Sequence, residues 1–155
     1  MKIELLLLGK TKESYIEAGI KDFSKRLRHF VPLELVHLKE KRYTNRSDHE
    51  IMALQSAVFN QAIGPDSYRV VLDRTGRAMD SEELAVLIGS LMDRGVKKAV
   101  FIIGGPLGVA PEQLAAADLV LSLSRMTFTH DLARLLLLEQ LYRAFSIRAG
   151  TKYHK

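Results

Sequence analysis

Glycine is concentrated once in this chain, at Gly104, Gly105 and Gly108, directly after an apolar run that ends at Ile103. Missing side chains at a strand end let a ligand lie against the backbone. The same cluster also marks a tight strand-to-helix turn, and spacing alone leaves both readings open. A second stretch, from Leu121 to His130, carries hydroxyls at Ser122, Ser124, Thr127 and Thr129 just before a long apolar segment. Backbone N–H groups are free at a helix N-terminus and suit a polar or anionic ligand, although Thr129 as a cap explains part of the pattern. Arg125 is either an ordinary surface cation or a contact for phosphate or a negatively charged base. Glu139 and Arg143, four residues apart, share a helix face, so an intrahelical ion pair is the simplest reading, and a partly buried pair can also orient a substrate. His130, Tyr153 and His154 are the other titratable groups near these segments. A lone histidine is more often a cap or surface residue than a catalyst.

Several chemistries are absent from the sequence. There is no cysteine, which removes disulfides, thiolate zinc sites and cysteine nucleophiles. Gly9-Lys10-Thr11 resembles the end of a phosphate-binding P-loop, but that loop needs glycine five residues earlier, where Glu4 stands. The first strand is not followed by the glycine fingerprint of an ordinary dinucleotide-binding fold. The apolar run Ile3 to Leu8 is too short for a membrane span or signal segment, and polar Lys10 to Lys12 follow it at once.

The elements that must position these residues alternate between strand and helix. Ile3 to Leu8 suits a strand covered on both faces, and Tyr15, Ile16, Ile20, Phe23 and Leu27 recur at helical spacing from about Glu13 to His29. A second strand is expected at Leu33–Leu38, a polar loop at Lys39–Arg46, and a helix from Asp48 to Ile63. Tyr68–Leu72 reads as a strand left through a turn at Asp73–Gly76, and Asp80 with Glu83 forms a capping box for a helix ending at Arg94. Strands at Lys98–Ile103 and Leu119–Leu123 follow, with Pro111 opening a helix between them and a last helix running from Thr129 or His130 to Ala149. Such alternation predicts an α/β fold with a mainly parallel sheet, and ligands gathered at the carboxyl ends of its strands. At 155 residues with 47% hydrophobic content, one domain over 1–155 is expected. Leucines surround the last helix more fully than one core-facing stripe requires, which favours packing against a second copy of the chain.

Charge is unevenly spread. Residues 1–46 hold 11 basic and 6 acidic side chains, 47–124 hold 6 and 10, and 125–155 hold 6 and 2, for a net charge of +5. Basic ends of this kind suit a polyanionic partner, while ordinary solvated helix faces account for them equally well.

Together, Gly104-Gly-Pro-Leu-Gly108, Leu121-Ser-Leu-Ser-Arg-Met-Thr-Phe-Thr-His130, Leu136-Leu-Leu-Glu-Gln-Leu-Tyr-Arg-Ala144 and terminal Tyr153-His154-Lys155 resemble the ribosomal RNA large subunit methyltransferase H family, over the whole chain. The resemblance implies a single SPOUT domain with a C-terminal trefoil knot, an exception to the usual absence of knots. It implies a cytoplasmic homodimer that uses S-adenosylmethionine, without metal, to methylate N3 of a pseudouridine in the helix 69 loop of 23S rRNA on the assembled ribosome. Carried over by position, the cofactor pocket comprises Leu72, Gly104, Leu123, Ser124, Arg125, Met126, Thr127 and Phe128. The catalytic candidates are Glu139, Arg143, His130, His154 and Tyr153. Thr129 stands where the family often has proline, and Thr151-Lys152 replaces His-Pro. The competing reading is a noncatalytic ribosome- or RNA-binding factor that keeps the SPOUT fold.

Overall fold

The computed structural model describes residues 1–41, 43–151 and 153. Five strands form one wholly parallel sheet: β1 (Lys2–Leu8), β2 (Leu33–Leu38), β3 (Ser67–Ala78), β4 (Lys98–Ile103) and β5 (Leu119–Ser122) stand in the order β2-β1-β4-β3-β5. Parallel neighbours need crossovers, and helices supply them: α1 (Ser14–Leu27), α2 (Asp48–Ala62), α3 (Ser81–Asp93) and the short α4 (Pro111–Ala115), with α5 (His130–Arg148) closing the chain.

The near-continuous apolar strands are explained by burial on both faces. Ile3, Leu5 and Leu7 of β1 face a core shared with Ile16 and Ile20 of α1, Leu84 and Ile88 of α3, and Leu137, Leu138 and Leu141 of α5. Leu6 and Leu8 point the other way, into a smaller cluster with Phe59 of α2 and Leu114 of α4. α5 packs against both α1 and α3 and so lies between them on the sheet. Its buried leucines therefore belong to the chain's own core, whereas Leu132 and Leu136 stay half-buried.

Local signals set the boundaries. Asp80 accepts the Glu83 N–H at 2.7 Å while the Glu83 carboxylate accepts the Asp80 N–H at 2.9 Å, the expected reciprocal box; Ser47 and Glu50 form another at α2. Thr129 caps α5 by accepting the Leu132 N–H at 3.3 Å. β3 differs from expectation. It does not end at Leu72: the chain bulges at Asp73–Gly76 and returns to the sheet, so that Leu72 and Arg77 both stand opposite Leu121. Asp73 Oδ1 closes the bulge by accepting from the Thr75 N–H at 2.8 Å and its hydroxyl at 2.6 Å. Gly76 permits the return, since a Cβ there would sit 2.6 Å from the Val120 carbonyl carbon.

Among the described residues one ion pair is buried. Arg134, with no exposed surface, donates to Asp131 Oδ1 at 2.8 Å, to Thr11 Oγ1 at 3.2 Å and to the Leu8 carbonyl, while Asp131 Oδ2 accepts the Lys12 N–H at 2.9 Å. Burial pulls the Arg134 guanidinium below the ordinary arginine range and Asp131 opposes that shift. The pair ties the end of β1 to the start of α5. Removing one partner of a buried pair typically costs about 3–5 kcal/mol because the other charge is left uncompensated. Arg134→Met is expected to lower unfolding stability by about that amount in urea titrations, and Arg134→Met with Asp131→Leu to recover most of it; a single-variant loss below about 1 kcal/mol would contradict the assignment.

Candidate functional site

The bulge of β3 and the carboxyl ends of β4 and β5 open onto one cavity of about 750 Å³. Its walls come from three segments distant in sequence: Leu72 to Arg74 from the β3 bulge, Ile103 to Val109 after β4, and Leu121 to Ala133 through the loop into α5. This is where a parallel α/β sheet places ligands, because strand-end loops there share one side.

Each loop is fixed by bonds that its sequence dictates. In the glycine loop the Gly108 N–H donates to the Gly105 carbonyl at 2.9 Å, and Gly108 takes φ 84°, a left-handed conformation that favours glycine. A Cβ on Gly104 would press into the Gly108 carbonyl group and lie 2.7 Å from Val109 Cγ2. The loop is a tight turn, and its bare backbone forms a cavity wall. Ser122 joins the other two segments, its hydroxyl lying 3.2 Å from the Arg74 carbonyl and 3.0 Å from the Ser124 carbonyl. Ser124 Oγ in turn accepts the Met126 N–H at 3.0 Å.

Seven of the eight expected pocket residues line this cavity: Leu72, Gly104, Leu123, Ser124, Met126, Thr127 and Phe128. Arg125 does not; it is exposed. Sequence reasoning missed the contributions of Asp73 and Arg74, because the bulge that delivers them depends on pairing with β5.

The catalytic candidates divide. His130 lines the cavity and places Nε2 3.3 Å from Asp131 Oδ1. Glu139 and Arg143 lie nine and thirteen residues further along α5, so Glu139 is about 14 Å away along the axis at 1.5 Å per residue. They form the expected ion pair: Arg143 donates twice to Glu139 Oε1, at 2.7 and 3.0 Å, and the Tyr153 hydroxyl approaches the same oxygen at 3.3 Å. The Arg143 guanidinium lies 5.0 Å from the Tyr153 ring centroid, and Tyr142 packs edge-on against that ring at 4.6 Å. Burial and the Glu139 carboxylate push the Tyr153 hydroxyl above its ordinary pKa. None of these three residues lines the cavity. His154 lies outside the described residues. Among the described residues no cluster of three or more histidine or acidic side chains is placed to hold a metal, and no helix is long and apolar enough to cross a membrane.

The family model described as "Predicted SPOUT methyltransferase" matches residues 1–154. A ribosomal RNA large subunit methyltransferase H from Desulfotalea psychrophila is 46% identical over 156 residues, and one from Halothermothrix orenii is 43% identical over 159, each with both chains covered completely. Among solved structures, a probable methyltransferase from Bordetella pertussis aligns with TM-score 0.57 at 14% identity, covering 93% of this chain and 96% of its own. A putative methyltransferase from Legionella pneumophila, solved in complex with the bound cofactor SAM, aligns with TM-score 0.52 at 15% identity, covering 93% of this chain and 66% of its own. Sheet, strand-end cavity and matching family model together define the SPOUT methyltransferase class. Within that class, the chain belongs to the ribosomal RNA large subunit methyltransferase H family.

Burial pushes His130 below the ordinary histidine value, against the pull of Asp131. The folded state therefore disfavours the imidazolium, and its contribution to stability is present above about pH 6.5 and lost as pH falls through the lower folded value. His130→Gln is expected to flatten the acid limb of a melting-temperature profile between about pH 6.5 and 5 relative to the parent chain. An unchanged slope would show that His130 is not buried against protonation.

Proposed function

We propose that this chain, as a single SPOUT domain over 1–155, uses S-adenosylmethionine to methylate N3 of a pseudouridine in the helix 69 loop of 23S rRNA, acting on the assembled ribosome. The observation that carries this reading is the convergence of Leu72, Gly104 and Leu123–Phe128 on one cavity. A cavity of about 750 Å³, apolar at Leu72, Leu121, Leu123 and Phe128 and edged by side-chain-free backbone at the glycine loop, fits an adenosyl group. The rRNA substrate is supported by the names of relatives that match this chain from end to end. In the same reading the chain's last segment threads into a trefoil knot and the enzyme works in the cytoplasm.

When bound, S-adenosylmethionine supplies an electrophilic methyl group. The protein must then aim the target nitrogen along the line of transfer at about 3–3.5 Å and dispose of the N3 proton. His130, at the cavity wall and neutral near neutral pH, is suited to accept that proton. Arg143, held by Glu139 and Tyr153, is suited to offset negative charge on the base as N3 is deprotonated. Because Glu139 and Arg143 lie on α5 beyond the cavity and Tyr153 follows that helix, this reading places all three at the seam of a homodimer. Half-buried Leu132 and Leu136 would lie on the same seam.

Incubation with labelled S-adenosylmethionine and ribosomes should place label in 23S rRNA. Co-sedimentation without label would instead support a noncatalytic ribosome-binding factor. Arg143→Ala is expected to lower methylation about 100- to 1000-fold, given the usual worth of a charge-stabilising contact. Calorimetric affinity for S-adenosylmethionine should stay within about twofold of the parent chain, because Arg143 is outside the cavity. Normal turnover in this variant would remove Arg143 from the mechanism.

A further inference from the structure

A smaller cavity of about 400 Å³ adjoins the first and shares Leu121, Leu123 and Phe128 with it. It opens between the start of α3 and the middle of α5, and its remaining wall includes Met79, Leu84 and Leu136 with the polar residues Asp80, Ser81, Ser122 and Gln140, of which Asp80 is engaged in the α3 cap and Ser122 with the loop carbonyls. Apolar walls with one convergent polar edge suit a flat heterocycle, whose faces are apolar and whose rim is not. The aromatic ring of Phe128 gives such a ring a stacking partner.

Gln140 is held in one orientation. Its Nε2 donates to Glu139 Oε2 at 2.6 Å, and its Oε1 accepts the Ser81 hydroxyl at 2.7 Å. A carboxylate accepts and cannot donate, so the nitrogen must face Glu139 and the oxygen must face Ser81. A primary amide has two N–H donors and two acceptor lone pairs. One N–H and one lone pair are therefore left over on a side chain that lines this cavity. That donor–acceptor pair complements a ring edge presenting C=O beside N–H.

We propose that this second cavity receives the target base and that Gln140 is a specificity-determining residue that reads the N1–H and C2=O edge of pseudouridine. The inference rests on the function proposed above. In pseudouridine the ribose is attached through carbon, so N1 keeps its proton, and pairing at N1–H and C2=O leaves N3 uncovered for methylation. In uridine N1 carries the ribose. Its remaining N–H is N3 itself, so the same amide would either lose one bond or mask the atom to be methylated. The held amide thus accepts one isomer and rejects the other with no change in shape. Glu139 and Ser81 act through Gln140 as positioning residues here.

The test uses ribosomes carrying pseudouridine at the target position and ribosomes from cells lacking the corresponding pseudouridine synthase, which carry uridine there. The measured quantity is the ratio of kcat/KM on the two. A bidentate contact of this kind discriminates by about tenfold or more, so the parent chain should favour pseudouridine by at least that factor. Gln140→Leu should bring the ratio near one while leaving S-adenosylmethionine affinity within about twofold, and Gln140→Met, closer in shape, should do the same. Ser81→Ala, which frees the amide to turn, should lower the ratio less. A merely structural role would slow both substrates together and keep the ratio. A retained ratio in Gln140→Leu and Gln140→Met would overturn this proposal while leaving the methyltransferase reading intact. Failure of the parent chain on both kinds of ribosome would overturn that reading and this inference with it.

Discussion

A guanidinium with no access to water fixes where the last helix begins. Arg134 reaches from the first turns of α5 to the Leu8 carbonyl and Thr11, and Asp131 holds the Lys12 N–H on the same side. Two ions are taken out of water at considerable cost, and the cost is met only if the loop after β1 and the start of α5 keep their mutual position. Since Thr129, His130 and Ala133 line the cavity from that same start, the pair sets the cavity's outer wall from behind. Hydrophobic packing of α5 between α1 and α3 is non-directional and would tolerate small slides along the axis. The buried pair is directional and resists them.

Close backbone approach supplies the second constraint. Val120 lies against Gly76 and the Gly108 carbonyl lies against Gly104, at separations that any side chain on either glycine would prevent. The Gly76 contact and the Ser122 hydroxyl between the Arg74 and Ser124 carbonyls bring the β3 bulge to the loop after β5, and the Gly104 contact tightens the third loop beside them. The cavity is a consequence of what is missing from two residues as much as of the side chains that face it.

Much of this architecture is legible in the residue order, because strand and helix periodicities differ and the caps carry their own signatures. The Asp80 and Glu83 box and the apolar run of β1 appear where the pattern predicts them. Three features were not legible, each for a physical reason. The return of β3 to Ala78 depends on a partner strand some fifty residues later, so Asp73–Gly76 read locally as an exit. Arg134 looks like a helix-surface cation until tertiary packing encloses it. The separation of Glu139, Arg143 and Tyr153 from the cavity follows from the length and direction of α5, while sequence shows only that Glu139 and Arg143 share a face. The pocket residue Leu72 came from family resemblance; on its own it is an apolar residue at a strand end.

The central claim is that three loops form one binding surface for the methyl donor. Amide hydrogen exchange on the full chain, with and without S-adenosylhomocysteine as a stable stand-in for the donor, tests it directly. Residues 72–76, 103–109 and 122–130 should gain protection together, with the same dependence on ligand concentration, while α2 and the strand starts stay unchanged. Protection confined to one of the three segments, or centred elsewhere on the sheet, would contradict the account.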